Sequence, residues 1–308
     1  MNIENFLKKY FSSRDKIILA CSTGPDSMYL LYKILETNYK KNLVVCYFDH
    51  KLRKESEKEV KFIKDMGKKY DFIVEIQEEN IKKIQKESPS IGIEEIAREK
   101  RYEFFKKTRE IYGAKYILTA HHLDDKIETF FFNLIRGTKL TGLINMKENN
   151  GSVLRPLLEI TKTEIISWLE EKNLPYNIDS SNFDIAYTRN YLRHDIIPLF
   201  SKINKSYKKN IKNTLCYFEE IKDFIDEEVK KFIADEDSFY IDEFFEKPIL
   251  LQKEIIRYCF YLRNNNSTIG LSEGNIDEII KFIGGKNDNT KKKIKNLSMK
   301  KNKTKIMF

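Results

Sequence analysis

From residue 16 to about residue 136, short apolar runs alternate with longer segments whose apolar residues recur every three or four positions. The runs KIILAC (16–21), LVVCYF (43–48), FIVEI (72–76) and YILTA (116–120) predict buried strands, since a strand covered on both faces loses its polar alternation. Helical spacing over 27–38, 56–69 and 93–112 fills the intervals. That order predicts an α/β fold with a doubly wound, Rossmann-like parallel sheet, right-handed crossovers and helices on both faces. Such sheets bind ligands beyond the carboxyl ends of their strands. The stretch 79–92, with Ser88, Pro89, Ser90 and Gly92, reads as a loop.

A second block, 137–200, holds a Gly-containing loop (RGTKLTGL), a turn (RPLL), a helix near 161–173 with the single tryptophan, Trp168, the loop LPYNIDSSNFD, and a helix near 189–199. Beyond Phe200 the texture changes. Residues 202–212 carry five lysines and no acid, and acidic helical segments follow from Glu219 to Glu246. The expected division is a larger domain over 1–205 and a smaller, mainly helical one over 206–308. From Lys286 onward there are nine lysines and one acid, and the alternation in KKIKNLSM and KTKIMF suits a short hairpin. Such a lysine-rich stretch either faces water or contacts RNA. Lys305 to Phe308 reads as a final strand or as the edge of a longer domain.

Composition narrows the class. Across 308 residues, 33% charged and 41% hydrophobic, no apolar run approaches the ~20 residues of a membrane span, and no basic-then-apolar leader opens the chain. The expectation is a soluble, cytoplasmic protein with no membrane partner; oligomeric state stays open. Cys21, Cys46, Cys216 and Cys259 are widely spaced with no CxxC, against a zinc knuckle, a cysteine-bound cluster or a disulfide scaffold. A formal charge of +9 favours a polyanionic partner, discounted because lysine, asparagine and isoleucine are abundant throughout. Only 11 of the 56 basic residues are arginine, so an arginine marks a need for a planar, bidentate donor.

Candidate chemistry gathers at the predicted strand ends. Ser22, Thr23, Gly24, Pro25, Asp26 and Ser27 lie between the first strand and the helix beginning MYLLYKIL. A strand that turns through small residues into a helix leaves the first helical N–H groups unpartnered, which makes an anion site; a plain capped turn has the same composition. There is no GxxxxGK[ST] and no GxGxxG, so the turn is not a P-loop or a dinucleotide fingerprint. All four histidines sit beside acids or arginines: His50 in FDHKLR, His121 and His122 in HHLDDKIET, His194 in RNYLRHD. Asp49-His50 and His121-His122 directly follow predicted strands, so they are expected at the same sheet edge as the turn. His121, Asp125, Glu128 and Phe132, spaced by four, three and four, would share one helix face suited to metal ligation or acid–base work. The plainer alternatives are Asp124 as a helix cap, Glu128 solvated, Asp49 as a turn residue, and Arg189 with Arg193 as an exposed basic face.

STGPDS resembles the SGGxDS loop of the N-type ATP pyrophosphatases, an adenine nucleotide alpha hydrolase-like fold. In order, FDHKLR, IEEIAREKRYEFF, LTAHHLDDKIETFFFNLIRGTKLTGL, RPLL and DSSNFDIAYTRNYLRHDIIP resemble the motifs of the tRNA(Ile)-lysidine synthetase family over roughly 16–200. The resemblance implies a ligase that uses ATP and Mg²⁺ to adenylate C2 of the wobble cytidine in tRNA(Ile) with a CAU anticodon, releasing pyrophosphate. Free L-lysine then displaces AMP. It implies that residues 22 to 27 hold pyrophosphate, that Asp26 and Asp125 place the metal, and that Asp26, Asp125, Glu128 and Arg189 are catalytic. Glu128, Asp125 and Asp49 are the candidates for orienting the lysine amine. Arg189, Arg193 and Arg101 are candidates to clamp phosphate or carboxylate, and Asp49, His50 and His121 are further candidates to bind substrate. The C-terminal domain is expected to bind tRNA. Thr23 departs from the pattern, standing where the loop has its first glycine: either its backbone is ordinary or the loop is altered. The competing readings are a tRNA thiolase and a non-catalytic RNA-binding protein.

Overall fold

In the computed structural model, successive residues of the first strand feed two different cores. Strand β1 (Ile17–Ala20) follows helix α1 (Ile3–Tyr10) and sends Ile17 and Leu19 into a cluster with Leu30, Ile34, Ile63 and Leu169, and Ile18 into a second cluster with Ile96, Phe104 and Phe105. The next elements are α2 (Pro25–Leu35), β2 (Leu43–Asp49), α3 (Ser56–Tyr70) and β3 (Ile73–Glu78). In β2, Leu43, Val45 and Tyr47 join the first core, and Val44, Cys46 and Phe48 the second. This alternation is the period-two signature of a strand covered on both faces. The structure describes residues 2–51, 56–87, 90–178, 188–233 and 238–308.

The stretch 79–92 contains a helix, contrary to the expected loop: α4 spans Ile81–Glu87. Ile81 is fully buried in the second core with Ile84 against it, a one-turn spacing that gives the segment an apolar edge to dock. The serine–proline pair at 88–89 lies outside the described residues. Then come α5 (Ile93–Ile111), the two-residue β4 (Ile117–Leu118), α6 (Leu123–Ile135), α7 (Leu140–Leu143), β5 (Asn149–Asn150), β6 (Val153–Leu154) and α8 (Lys162–Glu171). The sheet order is β3-β2-β1-β4-β6-β5, parallel except for β5 against β6. The chain steps outward from β1 to β3, then returns to the other side of β1 with β4. The switch point therefore lies at the carboxyl ends of β1 and β4, where an open sheet leaves a crevice.

Helix α9 (Thr188–Tyr191) runs into a π-helical turn at Leu192–Ile196 and a 3₁₀ turn at Ile197–Leu199. Leu192 and Ile197 pack on Leu123 and Ile127 of α6. After α10 (Phe200–Ile203) the long α11 (Tyr207–Phe232) begins. The chain divides into two compact units, Met1–Leu215 and Cys216–Phe308, the change falling within α11. The second unit continues with β7 (Ser238–Tyr240), α12 (Ile241–Glu246), α13 (Ile249–Arg263) and α14 (Glu273–Gly284). It ends in β8 (Thr290–Ile294), β9 (Leu297–Lys301) and β10 (Lys305–Met307), a hairpin extended into a four-stranded antiparallel sheet of order β7-β10-β9-β8. The alternation of Leu297, Met299 and Lys301 inward with Ser298 and Lys300 outward makes this a sheet with a core side, not a solvated tail. Among the described residues no helix is long and apolar enough to cross a membrane.

Candidate active site

The chain leaves β1 at Cys21 and enters α2 with Gly24 as its N-cap and Pro25 in its first turn. The buried Ser27 hydroxyl donates to Gly24 O at 3.0 Å and accepts the Ser22 N–H at 3.2 Å, with Ser22 Oγ 3.3 Å away. That hydroxyl shapes the loop from within. The first N–H groups of α2 have no intrahelical partner and are the donors left for an anion.

Thr23 resolves the question its sequence raises. Its φ is 63°, in the left-handed region, so a β-branched residue occupies a backbone that suits glycine, while Gly24 beside it has φ −69°. The conformation costs about 1–2 kcal/mol. Asn177, on the segment following α8, answers it twice: its N–H donates to Thr23 O at 2.9 Å and its Nδ2 to Thr23 Oγ1 at 3.1 Å. Each such bond contributes about 0.5–1.5 kcal/mol net, enough together to offset the strain. Thr23 is fully buried.

The second wall starts where β4 ends. Thr119 Oγ1 lies 2.9 Å from His121 Nδ1, and His122 is the N-cap of α6. His121 therefore precedes the helix, and the expected four-residue face begins only at Asp125; with β4 two residues long, both histidines belong to the turn. Asp125 Oδ2 accepts the His122 N–H at 3.0 Å, so Asp125, not Asp124, closes the helix start. Asp124 reaches across to accept the Lys162 N–H at 2.8 Å and Lys208 Nζ at 2.5 Å. Burial opposes its ionisation, but these donors outweigh burial and hold its pKa below the usual carboxylate range.

The buried His122 ring stands between two carboxylates, its Nε2 3.6 Å from Asp26 Oδ1 and 3.4 Å from Asp125 Oδ2. Asp26 also accepts Lys162 Nζ at 2.5 Å. Asp26, Asp124 and Lys162 thus sit in the first turns of α2, α6 and α8, three helix starts converging at the switch point. Arg193 bridges the other side: its Nε donates to Glu128 Oε2 at 2.7 Å and its Nη2 to Asp125 Oδ1 at 3.0 Å. Burial raises the Glu128 pKa above the carboxylate range, with Arg193 pulling against it. Burial disfavours the Arg193 charge in turn, but Glu128 and Asp125 outweigh it and raise its pKa.

Three arginines act on His121. Burial, set against the charge of Asp125 and joined by Arg155, Arg98 and Arg101, lowers its pKa to about 4, which keeps the imidazole neutral at ordinary pH. Arg155 is buried and donates from Nη1 to Lys147 O at 2.9 Å. Arg98 and Arg101 lie 4.8 and 6.0 Å from the Tyr102 ring centre.

The remaining candidates are placed differently. Arg189 lies over the Phe132 ring at 4.9 Å, near enough to Glu128 for its charge to act there. Asp49, buried at the end of β2, accepts the Lys51 N–H at 2.8 Å and has Lys51 Nζ 3.3 Å from its other oxygen, the geometry of a strand-end turn. The His50 ring packs on Phe48 at 4.7 Å. Arg53 and the DSSNFDIAY stretch, 179–187, lie outside the described residues. Sequence reasoning placed His122 at this edge without a role, and missed Lys162, Lys208, Arg155 and Asn177 as members of the site. Lys162 did carry a signal, a cation just after the Thr161 cap that starts α8.

Among the described residues no group of three or more His, Cys, Asp or Glu side chains forms a metal cage. Asp26 and Asp125, flanking one imidazole nitrogen, do fit the usual Mg²⁺ arrangement of one or two carboxylates completed by phosphate oxygens and water.

A family model described as a PP-loop domain matches residues 1–200. A tRNA(Ile)-lysidine synthase from Bacteroides thetaiotaomicron is 35% identical over 241 residues, covering 77% of this chain and 56% of the relative. One from Borreliella afzelii is 31% identical over 319 residues, covering 99% of this chain and 70% of the relative. The chain spans about half the length of several such relatives, including the one from Thermosipho africanus, of which 50% is covered. Among solved structures, a U34-tRNA thiolase from Methanococcus maripaludis with its [4Fe-4S] cluster superposes with a TM-score of 0.57 at 18% identity, covering 70% of this chain and 74% of that one, a likeness of fold.

Proposed function

Because the chain belongs to the tRNA(Ile)-lysidine synthase family of PP-loop proteins, we propose that it joins free L-lysine to C2 of the wobble cytidine in tRNA(Ile) with a CAU anticodon, using ATP. The observation that carries this reading is the meeting, at one sheet edge, of an anion-binding turn with the Asp26, Asp125 and Glu128 carboxylates and Arg193.

In the first step the triphosphate lies against the start of α2, its β and γ phosphates facing the N–H groups of Gly24, Asp26 and Ser27. The cytidine C2 oxygen attacks the α-phosphate, the bond to the bridging oxygen breaks, and pyrophosphate leaves. Positioning and charge stabilisation carry such a step, since no covalent enzyme intermediate is needed. Mg²⁺ bound by Asp26 and Asp125 would neutralise phosphate oxygens. Lys162, now paired with Asp26, is a cation within reach of the same phosphates.

In the second step the lysine amine attacks C2 and AMP departs. Glu128 and Asp125 already hold one cation, the Arg193 guanidinium, so they suit an incoming ammonium. The raised pKa of Glu128 suits it to take the amine proton as the C–N bond forms. Arg189, over the Phe132 ring, and Arg101, whose charge acts on His121, would bind phosphate or the lysine carboxylate. Asp49, held by Lys51, is the weakest of the three amine-orienting candidates.

We assign catalysis to the first unit and tRNA contact to the second, where the β8–β9 hairpin carries exposed Lys291, Lys293 and Lys300. A cytoplasmic location fits this substrate. The test is to incubate the protein with CAU-anticodon tRNA, ATP, Mg²⁺ and labelled lysine. Label entering tRNA together with AMP supports the synthase. ATP cleavage that depends on a sulfur donor indicates a thiolase, and no cleavage indicates an RNA-binding protein.

A further inference from the structure

We propose that Asn177 is a positioning residue that holds the anion-binding form of loop 22–27 by fixing Thr23 in its left-handed conformation; this rests on the ATP reading above. A glycine adopts that conformation unaided, so a loop with glycine there needs no clamp. Here the residue is β-branched and buried, and Asn177 grips it at both the carbonyl and the hydroxyl from a point 154 residues away. The carbonyl contact sets a direction. In a planar trans peptide the C=O and the following N–H point opposite ways, so an Asn177 N–H that holds Thr23 O aims the Gly24 N–H away from Asn177.

The segment bearing Asn177 is itself anchored. Asn173 takes a left-handed turn after α8, and Pro175 O accepts the Tyr32 hydroxyl of α2 at 2.9 Å. The strap from α8 to Asn177 is thus tied to α2 at Tyr32 and to the loop at Thr23. Asn177 stands just before the 179–184 DSSNFD stretch, so it couples the loop to the start of that motif along the chain. With a glycine at position 23 the side-chain contact would be absent and the left-handed conformation unstrained, leaving only the backbone bond from Asn177.

The test is a double-mutant cycle with two readouts on the full chain. Binding of the α,β-methylene analogue of ATP with Mg²⁺ is measured by calorimetry, and hydrogen exchange of the residue 22–27 amides is measured without nucleotide. Asn177→Ala should weaken binding about tenfold and speed loop exchange, whereas on a Thr23→Gly background it should change both by less than about twofold. Thr23→Val, which keeps the branch and removes the hydroxyl, should shift both readouts in the same direction as Asn177→Ala and guards against a simple folding defect. Equal effects of Asn177→Ala on the two backgrounds, or wild-type behaviour of Thr23→Val, overturn the inference. If the unaltered chain fails to bind the analogue, the ATP reading falls, while the exchange comparison still decides for or against Asn177.

Discussion

At the switch point of the first unit, charges of both signs meet from distant segments: Lys162 on Asp26, Lys208 on Asp124, Arg193 on Asp125 and Glu128. In the terminal sheet of the second unit, Lys291 stands directly opposite Lys300, and exposed Lys293 lies on the same strand as Lys291. Like charges opposite one another disfavour the strand pair. In the first region each charge has a fixed partner and direction, which suits positioning a reacting group. In the second they share one sign and face outward, which suits a polyanion of loosely defined geometry. Net charge alone, +9, conceals this difference.

The sharpest way to break the comparison is to uncharge the paired carboxylates. Glu128→Gln and Asp125→Asn should each lower lysidine formation about 100-fold or more while the protein stays folded by circular dichroism. Full turnover in both variants would remove these carboxylates from the chemistry. Lys162→Ala should act one step earlier, slowing ATP–pyrophosphate exchange in the presence of tRNA by about 10- to 100-fold. Unchanged exchange would leave the Lys162–Asp26 pair a purely structural link.

The two regions were unequally readable from sequence. Strand runs such as LVVCYF and KIILAC announce a sheet covered on both faces because their apolar character is local, and the resulting strand ends put loop 22–27 and His121-His122 at one edge. Partnerships are not local. Asn177 with Thr23 and Lys208 with Asp124 join residues far apart in the chain, and no spacing rule reaches them. The His121-to-Phe132 face misled because it assumed a helix start two residues too early, while a two-residue strand and the Asp125 cap set the start at Leu123. The lysine-rich end was legible as alternation, but the pairing of its last strand, Lys305–Met307, with Ser238–Tyr240 spans 65 to 69 residues of sequence, which no local pattern reaches.

For the terminal sheet, Lys291→Ala, Lys293→Ala and Lys300→Ala combined should weaken tRNA binding about tenfold near 0.1 M salt. The slope of log affinity against log salt should flatten by roughly 2 to 3. Turnover at saturating tRNA should be unchanged. A loss that persists with the same salt slope would mean these lysines do not meet phosphates.

The smallest expected effect concerns the cysteines, and it separates a ligase site from a sulfur-transferring one. Burial pushes the Cys46 and Cys259 thiols up to about 12 and raises that of Cys21, which lies 3.6 Å from Ser27 Oγ under the loop. A thiol needs its thiolate to react, and at pH 8 these three are held almost wholly protonated. Cys216, half-buried on α11, is the one of the four with an accessible side chain. Iodoacetamide at pH 8 should therefore modify Cys216 ahead of the others, read by peptide mass spectrometry, and lysidine formation by the labelled protein should stay within about twofold of the unlabelled. Rapid labelling of Cys21 or Cys46 with loss of activity would mean that the sheet edge exposes a working thiolate, and would turn the reading toward sulfur transfer.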